Sequence, residues 1–438
     1  MEDHHHSKAG LGLKELIAMG VGGMVGGGIF SVLGLSVSLA GHAAPIAFAI
    51  GGVIALLTGV SYSRLGLAFR SDGGSFTYLE HAFRHPNIAG LGGWLLLAGY
   101  IGTLALYAYT FGVYGAAMLG THGPQPAAVH ELLAAMVLLI FLGINLYGVR
   151  TSGETEDIIV LVKVILLSLF AVTGFFSLKA DHLLPVLNRG GGGVLMGAAL
   201  IFVAYEGFEL IPNAVHEMQD VEHNLSRAIM ISIIITTVIY ILVSLVAVGN
   251  LQPAEISRYK EYALAVAARP FLGQAGFLLI GLGAVLSTAS AINATLFGTA
   301  RLGMVMARDQ ALPHVFSLRE RTKDIPWVSL CIISALAIIF VSLGNLEIIS
   351  SFASSTFLLI FVCINLAAFL LRDRIGLHGA IPLLGFTLSL AAWLVLGFYL
   401  WRHDRTGLAW IGNAYLAITA AELCFSERRM FFKKSEKS

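Results

Sequence analysis

The chain has 438 residues, of which 57% are hydrophobic and 12% charged, and its formal net charge is +1. Globular domains carry about a quarter of their residues as charged side chains, so this composition excludes a water-soluble protein. The near-neutral balance gives no sign of a nucleic-acid partner.

Runs of about 20 apolar residues, the length an α-helix needs to cross a bilayer core of ~30 Å, recur along the sequence. They predict twelve spans near 13–39, 44–66, 88–118, 129–148, 156–178, 193–218, 227–249, 272–307, 327–343, 346–371, 379–401 and 408–425. The expected fold is an all-α polytopic membrane protein. The first run has no basic cluster before it and no small-residue cleavage motif after it, so it reads as a retained helix. Of the 27 lysines and arginines, 19 are assigned to one side, in loops, tails or toward span ends, seven to the other, and Lys163 alone to the interior of a helix. The positive-inside rule then predicts cytoplasmic termini, with 1–12 and 426–438 as tails. Cys331, Cys363 and Cys424 lie in apolar spans and suggest no disulfide framework. His4 to His6 sit on the N-terminal tail with no further ligands and are given no metal role.

Two spans are interrupted. "GVGGMVGGGIF" places six glycines between Gly20 and Phe30, and "VAYEGFE" runs from Val203 to Glu209. Glycine disfavours helix, and non-helical backbone at membrane depth survives only where protein buries it or a wet cavity meets it. The spacing predicts helix breaks at Gly22 to Gly28 and at Val203 to Glu209. Amides near Gly26 to Gly28 suit a carboxylate and carbonyls near Gly22 suit a cation. Small-residue packing is the competing account, since Gly22/Gly26 and Gly23/Gly27 have GxxxG spacing. Each break opens a block of five spans, 13–178 and 193–371, with 379–425 left over. Such blocks are what an inverted-repeat transporter presents.

Three buried charges are expected. Lys163 lies about two turns into its span, where an ionisable residue is a candidate functional group and snorkelling is the alternative. Glu206 and Glu209 sit three apart at the second break. A carboxylate there can bind an ammonium, take up a proton, neutralise Lys163 or cap a half-helix.

At this point four segments carry a family resemblance: "GGGIFSVLG", "GGSFTYLEHAF", "FVAYEGFELIPNAVHEMQD" and "LSTASAINATLFGTARLGMVMARDQALPHVF". Together they resemble the amino acid-polyamine-organocation superfamily, over nearly the whole chain to about residue 371. The resemblance implies the fold of the sodium-coupled leucine transporter, with a 5+5 inverted repeat and two extra helices, and the movement of amino acids. The "VLVK" context of Lys163 resembles a proton-coupled prokaryotic branch. There a lysine ammonium replaces a cation between helices 1 and 8, which implies an approach of Lys163 to the Gly22 carbonyl and to Ser287, Thr288 and Ser290. The implied substrate site is Val25, Gly26, Gly27, Gly28 and Ile29 for the carboxylate. Phe202, Tyr205, Glu206, Gly207, Phe208 and Glu209 are implied for the amine and the gate. Glu206 departs from the apolar residue of a broad neutral amino acid carrier, which adds weight to cationic or amine substrates. The inner loop "VEHNLSRAI" also departs from the proline-containing loop usual in relatives.

The expected function is proton-coupled amino acid symport by alternating access in a cell membrane, with an amino acid as small-molecule substrate, the proton and the bilayer as partners and no cofactor. A proton-independent amino acid or polyamine exchanger is the alternative. An enzyme is disfavoured by the lack of HExxH, GxSxG or a cysteine–histidine constellation. A channel is disfavoured by two broken helices in matching positions, which suit a closed site.

Overall fold

The computed structural model describes residues 10–71, 73–83, 86–120, 126–148, 153–320 and 325–435. The tail histidines His4 to His6 and the basic residues Lys8, Arg84, Arg150, Arg321, Lys323 and Lys437 lie outside them. The described residues form α-helices joined by short 3₁₀ turns, and their only β pairing is an isolated bridge between Leu11 and Met218. In chain order the helices are α1 (Leu13–Met24), α2 (Gly28–Ala40), α3 (Ala44–Ala68), α4 (Gly74–Ala82), α5 (Pro86–Met118) and α6 (Pro126–Tyr147). Next come α7 (Gly153–Phe175), α8 (Gly190–Leu200), α9 (Val221–Asn250), α10 (Pro253–Arg258), α11 (Ala263–Ala267) and α12 (Arg269–Arg308). The last are α13 (Trp327–Leu343), α14 (Leu346–Leu370), α15 (Arg372–Ile375), α16 (Ala380–His403) and α17 (Arg405–Ser435).

Nine stretches among the described residues are long and apolar enough to cross a membrane. Twelve spans were expected, and the difference has local causes. One stretch, Gly28–Ala68, joins α2 and α3, while α1 has 12 residues and reaches only about 18 Å. The apolar helix α13 has 17 residues, and α17 begins and ends in polar sequence.

The helices sort into centre and periphery. α5 packs against α6, α12, α13 and α14, and α3 against α9, α8 and α16. Peripheral α6 and α7 expose Leu132, Met136, Leu139, Ile158, Leu161, Ile165 and Val172. So broad an apolar exterior suits contact with lipid rather than water.

The two interrupted helices lie at the centre. α1 stops at Met24 and α2 resumes at Gly28. α8 passes at Leu200 into a 3₁₀ segment, Ile201–Tyr205, then an extended Glu206 and a turn at Gly207, then a second 3₁₀ segment, Phe208–Glu217. The observed breaks, Val25 to Gly27 and Glu206 to Gly207, fall inside the intervals read from sequence. α2 packs on α8, and α1 on the 208–217 segment, so the two broken helices run in opposite chain directions. At one end Leu11 N–H donates to Glu217 O (2.6 Å) and Gln219 N–H to Leu11 O (2.9 Å).

Candidate functional site

The breaks touch through glycine. A Cβ on Gly207 would stand 2.6 Å from the Gly23 carbonyl carbon, and one on Gly28 would stand 2.7 Å from Ala204 Cα. Gly207 also has φ +129°, a region L side chains rarely adopt. Close approach and backbone conformation therefore both demand glycine there. Tyr240 of α9 bonds both broken segments, its hydroxyl lying 2.6 Å from Met24 O and 3.0 Å from Ala204 O. Ser354 of α14 holds the other side of the second break, donating to Leu200 O (2.6 Å) and accepting from Val203 N–H (3.0 Å).

The backbone polar groups of the first break divide by type. Carbonyls are occupied: Gly22 O accepts from Lys163 Nζ at 2.8 Å, Gly23 O from Gly26 N–H at 3.1 Å, and Met24 O from Tyr240. Ser287 Oγ of α12 reaches Val25 O (2.6 Å) and Gly26 O, and Gly27 O accepts from Ser31 N–H and Oγ. Amides are not. Gly27, Gly28, Ile29 and Phe30, at the N-terminus of α2, donate to no group among the described residues. These are the orphan donors of a helix start, with the positive end of its dipole behind them. The segment therefore offers its surroundings donors and suits an anion.

Lys163 is 2% exposed. Its ammonium carries three donors, and Gly22 O is its single acceptor among the described residues. Val160, one turn earlier on the same face of α7, is also buried against α1. The two sit on the inward stripe of a helix whose other faces are exposed and apolar, because i and i+3 share a face. Thr288 hydroxyl bonds within its own helix, to Ala284 O and Val285 O, and Ser290 is half-buried with no bond to Lys163 or Gly22. Of the three hydroxyls grouped with Lys163 in sequence, Ser287 alone bonds to the first break.

Glu206 and Glu209 are both buried. Glu209 Oε2 accepts from Gly207 N–H at 2.8 Å and Oε1 from Tyr100 at 3.4 Å, so it fastens the turn that Gly207 makes. Glu206 crosses to α5 and accepts from Thr103. Phe202 and Phe208 both pack on Phe361, at ring-centroid distances of 5.5 and 5.4 Å. Tyr205 turns away from the first break and donates to Phe48 O of α3 at 2.5 Å. Sequence reasoning overlooked Tyr240, Ser354 and the α5 stripe of Tyr100, Thr103, Tyr107 and Thr110. The α5 stripe had a signal, hydroxyl groups spaced three and four apart in an otherwise apolar span.

The sequence model of the amino acid permease family matches residues 11–410. The chain belongs to that family. This permease is 33% identical over 416 residues to an uncharacterized protein of Methanocaldococcus jannaschii, covering 95% of each chain. It is 27% identical to the methylthioribose transporter of Bacillus subtilis, covering 91% of this chain and 88% of that one. It is also 27% identical to the branched-chain amino acid permease BcaP of the same organism, covering 84% and 82%. Membership accords with the four motif segments, two of which form the breaks of the permease, and it identifies a transporter of the amino acid-polyamine-organocation superfamily.

Proposed function

We propose that this permease moves amino acids by proton symport, by alternating access about the two facing breaks. The family's description supports the cargo class. The observation that carries the coupling is the Lys163 ammonium on Gly22 O, at 2.8 Å. With one acceptor for three donors, a charged amine is poorly satisfied there, and release of its proton would leave a neutral amine with a weaker bond to Gly22 O, loosening α1 from α7. Proton binding at Lys163 would thus be linked to the position of α1, and through it to the site. Val25, Gly26, Gly27, Gly28 and Ile29 form the carboxylate side of this reading. Phe202, Glu206, Gly207 and Phe208 form the opposite wall, with Tyr205 and Glu209 behind it. Gly22 and Ser287 join Lys163 in the coupling region, with Thr288 and Ser290 beside it on α12.

The same reading takes the chain as twelve crossings of a cell membrane with both termini cytoplasmic, 13–178 and 193–371 being inverted repeats. The opposed directions of the two broken helices support that symmetry. Proteoliposome uptake of labelled amino acids, with an inward proton gradient imposed or collapsed, tests the proposal. Gradient-dependent accumulation should be present in the wild type and absent in Lys163→Ala. Uptake indifferent to the gradient and dependent on internal amino acid would make the protein an exchanger, the second reading.

A further inference from the structure

The stripe of α7 that holds Lys163 carries a second ionisable group. Glu156, Val160 and Lys163 are spaced four and three apart, so all three share the face that meets α1. Val160 and Lys163 are buried and Glu156 only half-buried, so the stripe opens toward the start of α7, the end read as cytoplasmic. Glu156 makes no hydrogen bond and no ion pair among the described residues. Asp157, one position on, is turned about 100° round the helix from that face.

Contacts with α1 set the distance between the two charges. A Cβ on Gly22 would lie 2.7 Å from Val160 Cγ2, so the Gly22 carbonyl, and with it the Lys163 ammonium 2.8 Å away, stands about level with Val160. Side chains on a helix lean toward its N-terminus, which brings an amine rooted one turn later to that height. From Val160 to Glu156 is one further turn, about 6 Å. One water molecule with a hydrogen bond of about 2.9 Å to each group spans such a gap. The carboxylate and the ammonium interact electrostatically, yet they stand too far apart to pair directly.

α12 brings a hydroxyl to the same gap. A Cβ on Gly283 would lie 2.9 Å from Leu166 Cδ1 of α7. Ser290, seven residues later, returns to that face of α12 two turns nearer its inner end. α7 and α12 are the fifth and eighth spans and run oppositely, so Ser290 comes level with Ile159, between the two charges. It makes no hydrogen bond among the described residues. α7 packs chiefly on α1, α9 and α12, whose inner halves carry Lys14, Glu15, Arg227 and Arg301. The charges that act on Glu156 are instead Lys163 and Asp157.

We propose that Glu156 is the group through which Lys163 exchanges its proton with the cytoplasmic side, with the Ser290 hydroxyl holding the bridging water. Lys163 is 2% exposed, so its proton needs a carrier to reach solvent. In the release step an ammonium N–H bond breaks, the water takes that proton and passes one of its own to the carboxylate, and Glu156 then yields it to solvent. A charged amine and a carboxylate become a neutral amine and a neutral acid, which costs less in an apolar interior than moving a free proton through it. This rests on the proton symport reading above.

The test compares two activities in proteoliposomes, using the labelled amino acid that the wild type accumulates best. Net uptake driven by an inward proton gradient discharges a proton in every cycle, whereas exchange of labelled for unlabelled amino acid at equal pH does not. Glu156→Gln should lower the initial rate of net uptake about tenfold or more, with exchange kept within about threefold. More of an impermeant internal buffer at fixed pH gives the proton another acceptor, and it should speed uptake by Glu156→Gln and leave the wild type unchanged. Glu156→His carries protons without a fixed negative charge and should hold uptake within about threefold of wild type. A Glu156→Gln with wild-type uptake would overturn the relay. So would a Glu156→Gln that melts with the wild type but loses exchange in step with uptake, or a Glu156→His no faster than Glu156→Gln, since either makes the carboxylate a fixed counter-charge. Wild-type uptake that is absent or indifferent to the gradient would overturn proton symport and the relay together.

Discussion

Gly23 and Gly207 meet backbone to backbone, so closely that a Cβ on Gly207 would fall 2.6 Å from the Gly23 carbonyl carbon. With φ at +129°, Gly207→Ala adds a backbone penalty of about 1–3 kcal/mol to the clash. A total loss of about 3–5 kcal/mol of stability is expected, with transport abolished. Gly273 has φ +62° and ψ −152° but nothing within 4 Å of an added Cβ, so Gly273→Ala should cost only the backbone penalty of about 1–3 kcal/mol, without a clash. Thermal melts of the two purified variants compare these losses. Equal shifts would show that the contact between the breaks does not constrain the fold.

Lys163 and Gly22 O form the second decisive pair, and arginine separates charge from proton exchange. Arginine keeps its charge at any accessible pH, so Lys163→Arg can hold the carbonyl but cannot release a proton. Substrate binding should survive within about threefold, while the initial rate of gradient-driven uptake falls at least tenfold, a barrier increase of about 1.4 kcal/mol. Matched binding and uptake assays check it, and accumulation near wild-type level in Lys163→Arg would rule out proton release from this side chain.

Asn365 of α14 joins two helices. It accepts from Ser61 (2.7 Å) and donates to Thr58 (2.9 Å) on α3 and to Phe361 O (2.9 Å). Asn365→Leu leaves two buried hydroxyls short of a partner and should cost about 2–4 kcal/mol. Detergent melts of the variant measure this, and a loss under 1 kcal/mol would mean that the hydroxyls find other partners.

The breaks were legible because glycine density and charge inside apolar runs are anomalies that lipid forbids unless protein covers them. Lys163, Gly22 and the general position of both interruptions follow from that reasoning. The direction of side chains did not. Thr288 and Ser287 are neighbours in sequence, yet one bonds its own helix and the other reaches the first break, a matter of about 100° of helix phase. Glu206 and Glu209 looked alike, and the φ of Gly207 separates them: the turn brings its N–H to Glu209 and leaves Glu206 facing α5. Tyr240, 36 residues from Ala204 and 216 from Met24, bonds both breaks. No local pattern marks such a contact.

The segment from α10 to α11 covers one end of α2, and its polar contacts give the last prediction. Tyr109 of α5 donates to Glu261 at 2.6 Å. Next to it, Lys260 and Tyr399 both reach Glu347, at 3.9 and 2.7 Å. The backbone of Lys260 lies directly on Gly34 of α2, so this segment must lift if a path past α2 is to open on that face. A hydrogen bond to a charged group contributes about 1.5–3 kcal/mol, and losing the Tyr109–Glu261 bond should raise the open population at least tenfold. The readout is the labelling rate of a cysteine at Thr110, just below the contact, by a maleimide added from that face. The host for both versions is a variant in which Cys331, Cys363 and Cys424 are replaced. Tyr109→Phe should speed labelling about tenfold, and saturating substrate should slow it again if occupancy favours closure. An unchanged rate would mean that the apolar packing of Tyr262 on Phe277, not the carboxylate contacts, holds this end shut.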